Sequence, residues 1–412
     1  MRKSTAGLLA VVLALAGCGR GGGGTSGKAE DVSAGRIKGT VTVWAMGDEG
    51  QALGAFAKEF ERANPGVEIK VTSMGMDVAH DKLVSAIAGN ATPDVSMVGT
   101  TWMGELGKSG ALDVTPNNLF DKSGFFPGAW DSTVYKGASY GVPWYVETRA
   151  FYYRSDLGVK PPTTWDETKQ WARQVKAKGA SMGVYQNYQV GSWQELLPLV
   201  WQAGGDITSG GKWTFDSPQV VTALKQWRSF YEDGTAPNKV DTGAFPNIFF
   251  KGQAAAYYSG PWMIHLMKKD GGPGFEKKFD LAPYAKGPAG NNTSLMGGGD
   301  LAVFKRTKNR DAAWRFVKWL TDPKVQVRWY QTKNDLPSTP AAWQDPAMAS
   351  DKQVALFGEA LKTAKAPPST PNWEQVARVV EREMGRLALL KETPEQAAQA
   401  MQKGADQLGM GD

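Results

Sequence analysis

Apolar and polar positions along the first hundred residues switch between two periods. Val41-Thr42-Val43-Trp44 alternates every second residue, the pattern of a strand with one buried face. Leu53, Phe56, Ala57 and Phe60 then recur at helical spacing until Asn64-Pro65-Gly66 stops them. Val67, Ile69 and Val71 return to alternation, a second helix is predicted over about 78–88, and Pro93-Asp94-Val95-Ser96-Met97-Val98 reads as a third strand. The order β-α-β-α-β predicts an α/β chain that opens with a parallel sheet and crossover helices.

Later helices announce their starts. Thr164-Trp165-Asp166-Glu167 fits a capping box, with Trp165, Trp171 and Val175 following at helical spacing. Ser217-Pro218 opens another, with Leu224, Trp227 and Tyr231 on one face and Gly234 beyond its end. Asn309 or Asp311 opens a third, running through Trp314, Val317 and Leu320 to Pro323, and Thr393-Pro394-Glu395-Gln396 opens the last. No repeat of fixed period is present.

The amino terminus breaks from this pattern. Arg2 and Lys3 precede an almost wholly apolar run, Gly7 to Ala16, and the small residues Ala16 and Gly17 precede Cys18, the one cysteine of the chain. This is the layout of a secretory signal peptide, with an apolar run too short for a spanning helix. Leu15-Ala16-Gly17-Cys18 resembles a bacterial lipobox. That resemblance implies removal of residues 1–17, lipidation of Cys18, and a chain held at the outer face of the cell membrane by the lipid alone. Residues 18–37, rich in Gly, Ser, Thr and charge, read as a flexible tether. Gly19, Gly21 and Gly24 match a dinucleotide fingerprint by letters, and residues 22–28 approach a phosphate loop, but neither follows a strand as those motifs require.

Roughly 375 residues remain, more than one ordinary core, so two lobes are expected. The formal net charge is +6, of which Arg2 and Lys3 carry two, and the remaining Lys and Arg are interspersed with Asp and Glu. No basic stripe marks a nucleic-acid binder. The 16 tryptophans change the picture most. A large, rigid, flat apolar ring suits the face of a pyranose, so an exported Trp-rich chain points to carbohydrate.

Several stretches together resemble the family 1 extracellular solute-binding proteins of bacterial sugar ABC importers, the group that includes the maltose-binding proteins. They are "VTVWAMGDEG" with "FAKEFERANPGVEIKV", "ATPDVSMV", "YGVPWYVETRAFYYRSDL", "PPTTWDE", "FFKGQAAAYYSGPWMI" and "GGGDLAVFKRTKNRDAAWRFVKWL". The resemblance implies a two-lobed periplasmic-binding-protein-like fold with a hinge and a ligand cleft. Its expected division is lobe one at 38–144 and 284–336, lobe two at 145–283 and 337–412, with Gly141-Val142-Pro143-Trp144 and Leu336-Pro337-Ser338 as hinge candidates. It also implies a monomer that captures a di- or oligosaccharide, such as the α-glucosides trehalose or maltose, and delivers it to permease subunits. No cofactor or metal is expected.

A sugar cleft needs aromatic faces for ring faces and carboxylates or amides for hydroxyls. Glu147, after the hinge proline, matches a sugar-binding Glu of the family; Trp262 in Gly260-Pro261-Trp262 and Trp373 in Pro371-Asn372-Trp373 match stacking tryptophans. Asp300 follows Gly297-Gly298-Gly299, a loop able to bring backbone close to a ligand. Trp44, Asp48 and Glu49 end the first strand, where open α/β sheets bind ligands. Thr101 and Trp102 stand where the maltose-binding pattern carries an Asp-Arg pair, a departure that argues for a different sugar or orientation. Trp193 and Gln194 precede a helix that lines lobe two, while Trp227, Trp314 and Trp319 are assigned to core or surface and Asp94 to structure.

Two other classes stay open: a binder of a non-sugar solute, and an exported glycoside hydrolase using Glu147 and Asp300 as its two carboxylates. His80 and His265 are the only histidines. They supply a Ser-His-Asp or Cys-His site poorly. His80 is expected to be solvated, and His265, one helical turn after Trp262, to approach the cleft.

Overall fold

The computed structural model describes residues 28–239 and 244–411. The leader, Cys18 and the first part of the tether lie outside the described residues. The tether ends earlier than expected. Val32 and Ile37 are buried. Val32 exchanges two hydrogen bonds with the Asn118 amide, 3.1 and 2.9 Å, and Arg310 and Arg315 donate to the carbonyls of Glu30 and Gly35. Two apolar anchors and these bonds dock residues 30–37 on the first lobe.

That lobe opens as the pattern predicts: β1 (Gly39–Met46), α1 (Gly47–Phe56), β2 (Val67–Met74), α2 (Met76–Ala88), β3 (Val95–Gly99) and α3 (Met103–Lys108). Both β2 and β3 pair parallel with β1. Asp94 is structural, its carboxylate accepting from the Thr42 N–H and hydroxyl at 2.7 Å each. The chain re-enters this sheet at β4 (Val142–Glu147) and then turns into a second sheet at β5 (Ala150–Tyr153). There follow α4 (Trp165–Ala177), β6 (Met182–Tyr185), α5 (Trp193–Gln202), α6 (Pro218–Glu232), β7 (Ala254–Ser259), α7 (Trp262–Asp270) and β8 (Asp280–Ala282). The chain returns through β9 (Gly297–Val303), α8 (Arg310–Leu320), α9 (Pro323–Lys333) and β10 (Leu336–Pro337), and ends on the second lobe in α10 (Trp373–Ala388) and α11 (Pro394–Leu408).

The sheets have strand orders β10-β4-β9-β3-β1-β2 and β8-β5-β7-β6. The first departs from a purely parallel sheet because β9 inserts antiparallel between β3 and β4. Each lobe buries its own aromatic core: Trp144, Trp314 and Trp329 in the first, Trp171, Trp213, Trp227 and Trp373 in the second.

The crossings fall a few residues from their expected places. Gly141 to Trp144 is not a hinge; Val142 and Trp144 are wholly buried in β4, whose pairing with β9 continues to Glu147 opposite Gly297. The crossover is Thr148-Arg149, so the first segment of lobe one runs to 147. On the return, Tyr284 still stacks on Tyr258 of β7, and the first sheet resumes only at Gly297. Leu336-Pro337 pairs with Val146 and Tyr145 before the last crossing.

Buried polar groups fix these crossings. The Ser294 hydroxyl accepts from Thr148 Oγ1 (2.8 Å) and the Arg149 N–H (3.1 Å) and donates to the Arg149 carbonyl (3.1 Å), joining the first two. Gln326 and Ser338 tie the third to the carbonyls of Pro143 and Trp144 at 2.6–2.7 Å. Removing any one of these would leave buried partners unsatisfied, a cost of about 1–3 kcal/mol.

Candidate functional site

Where β5 and β7 meet α5 and α7, the second lobe opens into a cavity of about 330 Å³ beside the first crossing. Its apolar wall is Trp262, Tyr258, Tyr284, Tyr185 and Phe245; its polar lining includes Arg149, Asn187, Gln194, Glu195 and Ser259. The sequence Gly260-Pro261-Trp262 explains the placement of the indole. Pro261 stands immediately before the first residue of α7, and the ring folds back over Gly260, where any side chain would overlap it. Tyr152 donates to the Gly260 carbonyl at 2.6 Å and holds the turn.

Arg149 joins the candidates to one another. Its guanidinium lies 4.7 Å from the centre of the Trp262 ring, a cation–π arrangement. Nη2 donates to Gln194 Oε1 at 2.5 Å and stands 3.3 Å from Glu147 Oε1. Nη1 is buried and has no hydrogen-bond partner among the described residues. Gly297 leaves space for Glu147: a side chain there would press on its carboxylate. Gly298 adopts φ 139, backbone that side chains resist. The glycine run therefore seats Glu147.

Across the crossing lies an acidic face of the first lobe. Burial raises the pKa of Glu49, with Asp48 and Glu147 adding to the rise and Lys333 opposing it. Burial also holds Asp335 well above the usual carboxylate range, the Glu49 charge adding to it, while the Trp329 indole N–H, 2.7 Å away, pulls it down. In the cavity, burial brings Glu195 to about 7 against the opposing pull of Arg149 and the Asn187 N–H. Among the described residues no cluster of three or more His, Cys, Asp or Glu side chains is arranged to hold a metal ion.

The remaining candidates separate. Glu49 is half-buried in the first turn of α1; Asp48 is exposed, 3.6 Å from Lys333. Trp44 is half-buried and packs against a cluster that includes Leu83, Val98 and Met103, and Thr101 is buried. Trp102 meets His80 edge-on at 5.1 Å, and Trp193 meets Trp373 edge-on at 5.4 Å. Trp373 itself is fully buried between Trp193 and Trp213 and offers no face to a ligand. The expectation that it stacks on sugar is corrected: it opens a helix whose first turn packs into the core.

Asp300 is corrected as well. The triple glycine is the start of β9 rather than a free loop, and Asp300 sits inside the first lobe, 1% exposed, with the Ser132 hydroxyl at 3.2 Å as its one side-chain partner among the described residues. Burial raises its pKa to about 8. The carboxylate pair Glu147 and Asp300 therefore does not form across the cleft. His265 is exposed. His80 is not simply solvated: Nε2 lies 2.8 Å from Glu105, whose hydrogen bond raises the histidine's pKa.

Sequence reasoning missed Arg149, Tyr185, Asn187, Glu195 and Ser259. Only Arg149 left a signal, as a lone cation in the otherwise apolar "RAFYY" two residues after Glu147.

The family of bacterial extracellular solute-binding proteins matches residues 55–356. The chain belongs to that family. Among curated solute-binding relatives, a putative binding protein of Brucella abortus is 26% identical, with 96% of each chain covered. The maltotriose-binding protein of Pyrococcus abyssi is 27% identical, with 81% of this chain and 74% of the relative covered. Among solved structures, the sugar-binding protein MalE of Xanthomonas citri superposes with a TM-score of 0.82 at 30% identity, covering 90% of this chain and 97% of the other. The fold is thus the two-lobed solute-binding one, and the Arg149–Trp262 cavity lies beside its hinge.

Proposed function

We propose that the chain is an extracytoplasmic, lipid-anchored binding protein, not an enzyme, which captures a neutral di- or oligosaccharide and delivers it to the permease of an ABC importer. The observation that carries this reading is the cavity itself. An aromatic wall around Trp262 adjoins a Glu147–Arg149–Gln194 network in which the cation is matched by a carboxylate. Aromatic faces cover the apolar faces of a sugar ring, and charged donors and acceptors make the stronger hydrogen bonds to its hydroxyls. A charge-balanced site favours an uncharged ligand. The relatives named for maltotriose binding and sugar binding support an α-glucoside as the first ligand to test.

A thermal-shift screen with trehalose, maltose, maltotriose, cellobiose and larger glucans tests the reading, since a ligand that binds only the native state stabilises it by mass action. At least one neutral glucoside should raise the melting temperature while no reducing ends are released. Stabilisation only by charged solutes would contradict the sugar reading, and release of new reducing ends would make the protein a hydrolase. Anchoring is tested separately: Cys18→Ala should move the protein from the membrane fraction to the soluble one, and retention in the membrane would show another tether.

A further inference from the structure

Arg149 combines three features that no other residue of the cavity shares. Its main chain is the crossing itself, held by Ser294 through both its N–H and its carbonyl. Its side chain is 12% exposed and is gripped from two sides, by Gln194 from the second lobe and by Glu147 from the end of β4. Yet Nη1 has no partner among the described residues. A guanidinium has five N–H donors in a fixed fork, and a buried donor left without a partner is costly. Gln194 and Glu147 engage Nη2, while Nη1, buried beside the cavity that Arg149 lines, has no partner among the described residues.

The position over Trp262 adds a constraint. A cation 4.7 Å from the ring centre occupies one face of the indole. A sugar stacking on Trp262 must use the other face, or slide in edge-on beside the guanidinium. Only a sugar that enters beside the guanidinium, over the ring's edge, brings its oxygens within reach of the fork; one on the far face would have the indole between them. Aliphatic C–H groups of a pyranose suit the ring, and hydroxyl or ring oxygens suit the N–H groups. A lysine could not serve the same way, because a point charge on a flexible stem cannot hold Gln194, face Glu147, lie over an indole and still present a directed donor.

We propose that Arg149 is a ligand-binding and specificity-determining residue: its free Nη1 donates to one oxygen of the bound sugar, with Trp262, Gln194 and Glu147 fixing the fork. The proposal rests on the sugar reading above. Because the same residue forms the first crossing, the ligand is tied to the hinge through a single side chain.

The test is calorimetric titration of the full chain and of Arg149→Gln and Arg149→Lys with the glucoside that stabilises the unaltered protein and with a panel of its monodeoxy analogues. Both variants should bind the parent sugar about 10- to 100-fold more weakly, the loss expected for one hydrogen bond from a charged donor. The deciding readout is coupling. One deoxy analogue should bind the unaltered protein weakly yet bind Arg149→Gln no worse than the parent sugar does, identifying the oxygen that Arg149 holds. A purely structural role would weaken every analogue equally and lower the melting temperature of the ligand-free variant, and that result overturns the proposal. So does Arg149→Gln binding the parent sugar within twofold of the unaltered chain. If no sugar binds the unaltered chain, the sugar reading itself falls and the proposal with it; a sugar bound alike by both chains defeats the proposal alone.

Discussion

Trp262, Trp314 and Trp373 carry the same side chain to different ends. Trp314 is wholly buried in the first lobe, with its indole N–H 2.8 Å from Asp113. Trp373 is wholly buried in the second. Truncating either opens a large cavity, so Trp314→Ala and Trp373→Ala should each lose about 3–5 kcal/mol of stability in thermal or denaturant melts. Sugar affinity of the Trp314 variant should stay close to that of the unaltered chain, and a large loss of affinity at unchanged stability would reverse the assignment. Trp314 was legible because it recurs at helical spacing with Val317 and Leu320. Trp373 was not, because a helix start can face a cleft or a core, and only the packing of Trp193 and Trp213 decides. Asp300 was misread for a similar reason: a glycine run looks like a loop whether or not a strand follows. Its burial has a pH signature. A carboxyl of ordinary pKa 3.8 raised to about 8 keeps its proton in the native state at pH values where the unfolded chain has released it. Stability from this group is therefore present at low pH and lost as pH rises from about 4 to 8. Asp300→Asn, which mimics the protonated acid, should melt progressively higher than the parent between pH 5 and pH 8.5. Equal melting shifts at both pH values would contradict the protonated assignment.

Among the elements, the opening β-α-β-α-β order and most helix starts were legible, since period and caps are local. Thr393 and Gln396 make a full capping box. Thr164 caps α4 by accepting from the Glu167 N–H, but Glu167 turns its carboxylate to Thr163 instead. The antiparallel insertion of β9 was not legible, because it depends on a strand some 200 residues from its neighbour β3. The crossings were misplaced for the same reason: proline limits φ, but where a strand ends depends on its partner. One contact between the lobes lies in α3. Gly104 packs against the backbone of Ser369 and Thr370, in the segment that leads into α10, and a side chain at 104 would collide with the Ser369 carbonyl. Nearby, Lys108 donates to the Gly411 carbonyl. Gly104→Ala should hold the lobes apart, weakening ligand binding while the ligand-free melting temperature changes little. Scattering should then show a liganded variant with a larger radius of gyration than the liganded parent; an unchanged radius and affinity would show that this contact does not govern closure.

At the scale of the whole molecule, two lobes with separate aromatic cores meet along three crossings, and the cavity opens beside the first. Hinge closure about a ligand is what such an arrangement can do with binding energy. Charge is spread rather than concentrated, and Arg149 faces Glu147 beside a Glu195 that burial brings to about 7, so affinity should change little between low and high salt. The family was legible in the order of its motifs, whereas most tryptophans went to the cores; at the cavity the sequence singled out Gln194 and Trp262, with Glu147 beside it, but not the arginine that joins them. The most direct test of the sugar-binding cleft is calorimetric titration of the glucoside found by thermal shift against the unaltered protein and Trp262→Ala. The account predicts saturable binding to the unaltered protein, at least about 10-fold weaker in the variant, at a nearly unchanged ligand-free melting temperature. Equal affinity for the two proteins would place the sugar elsewhere and contradict the account.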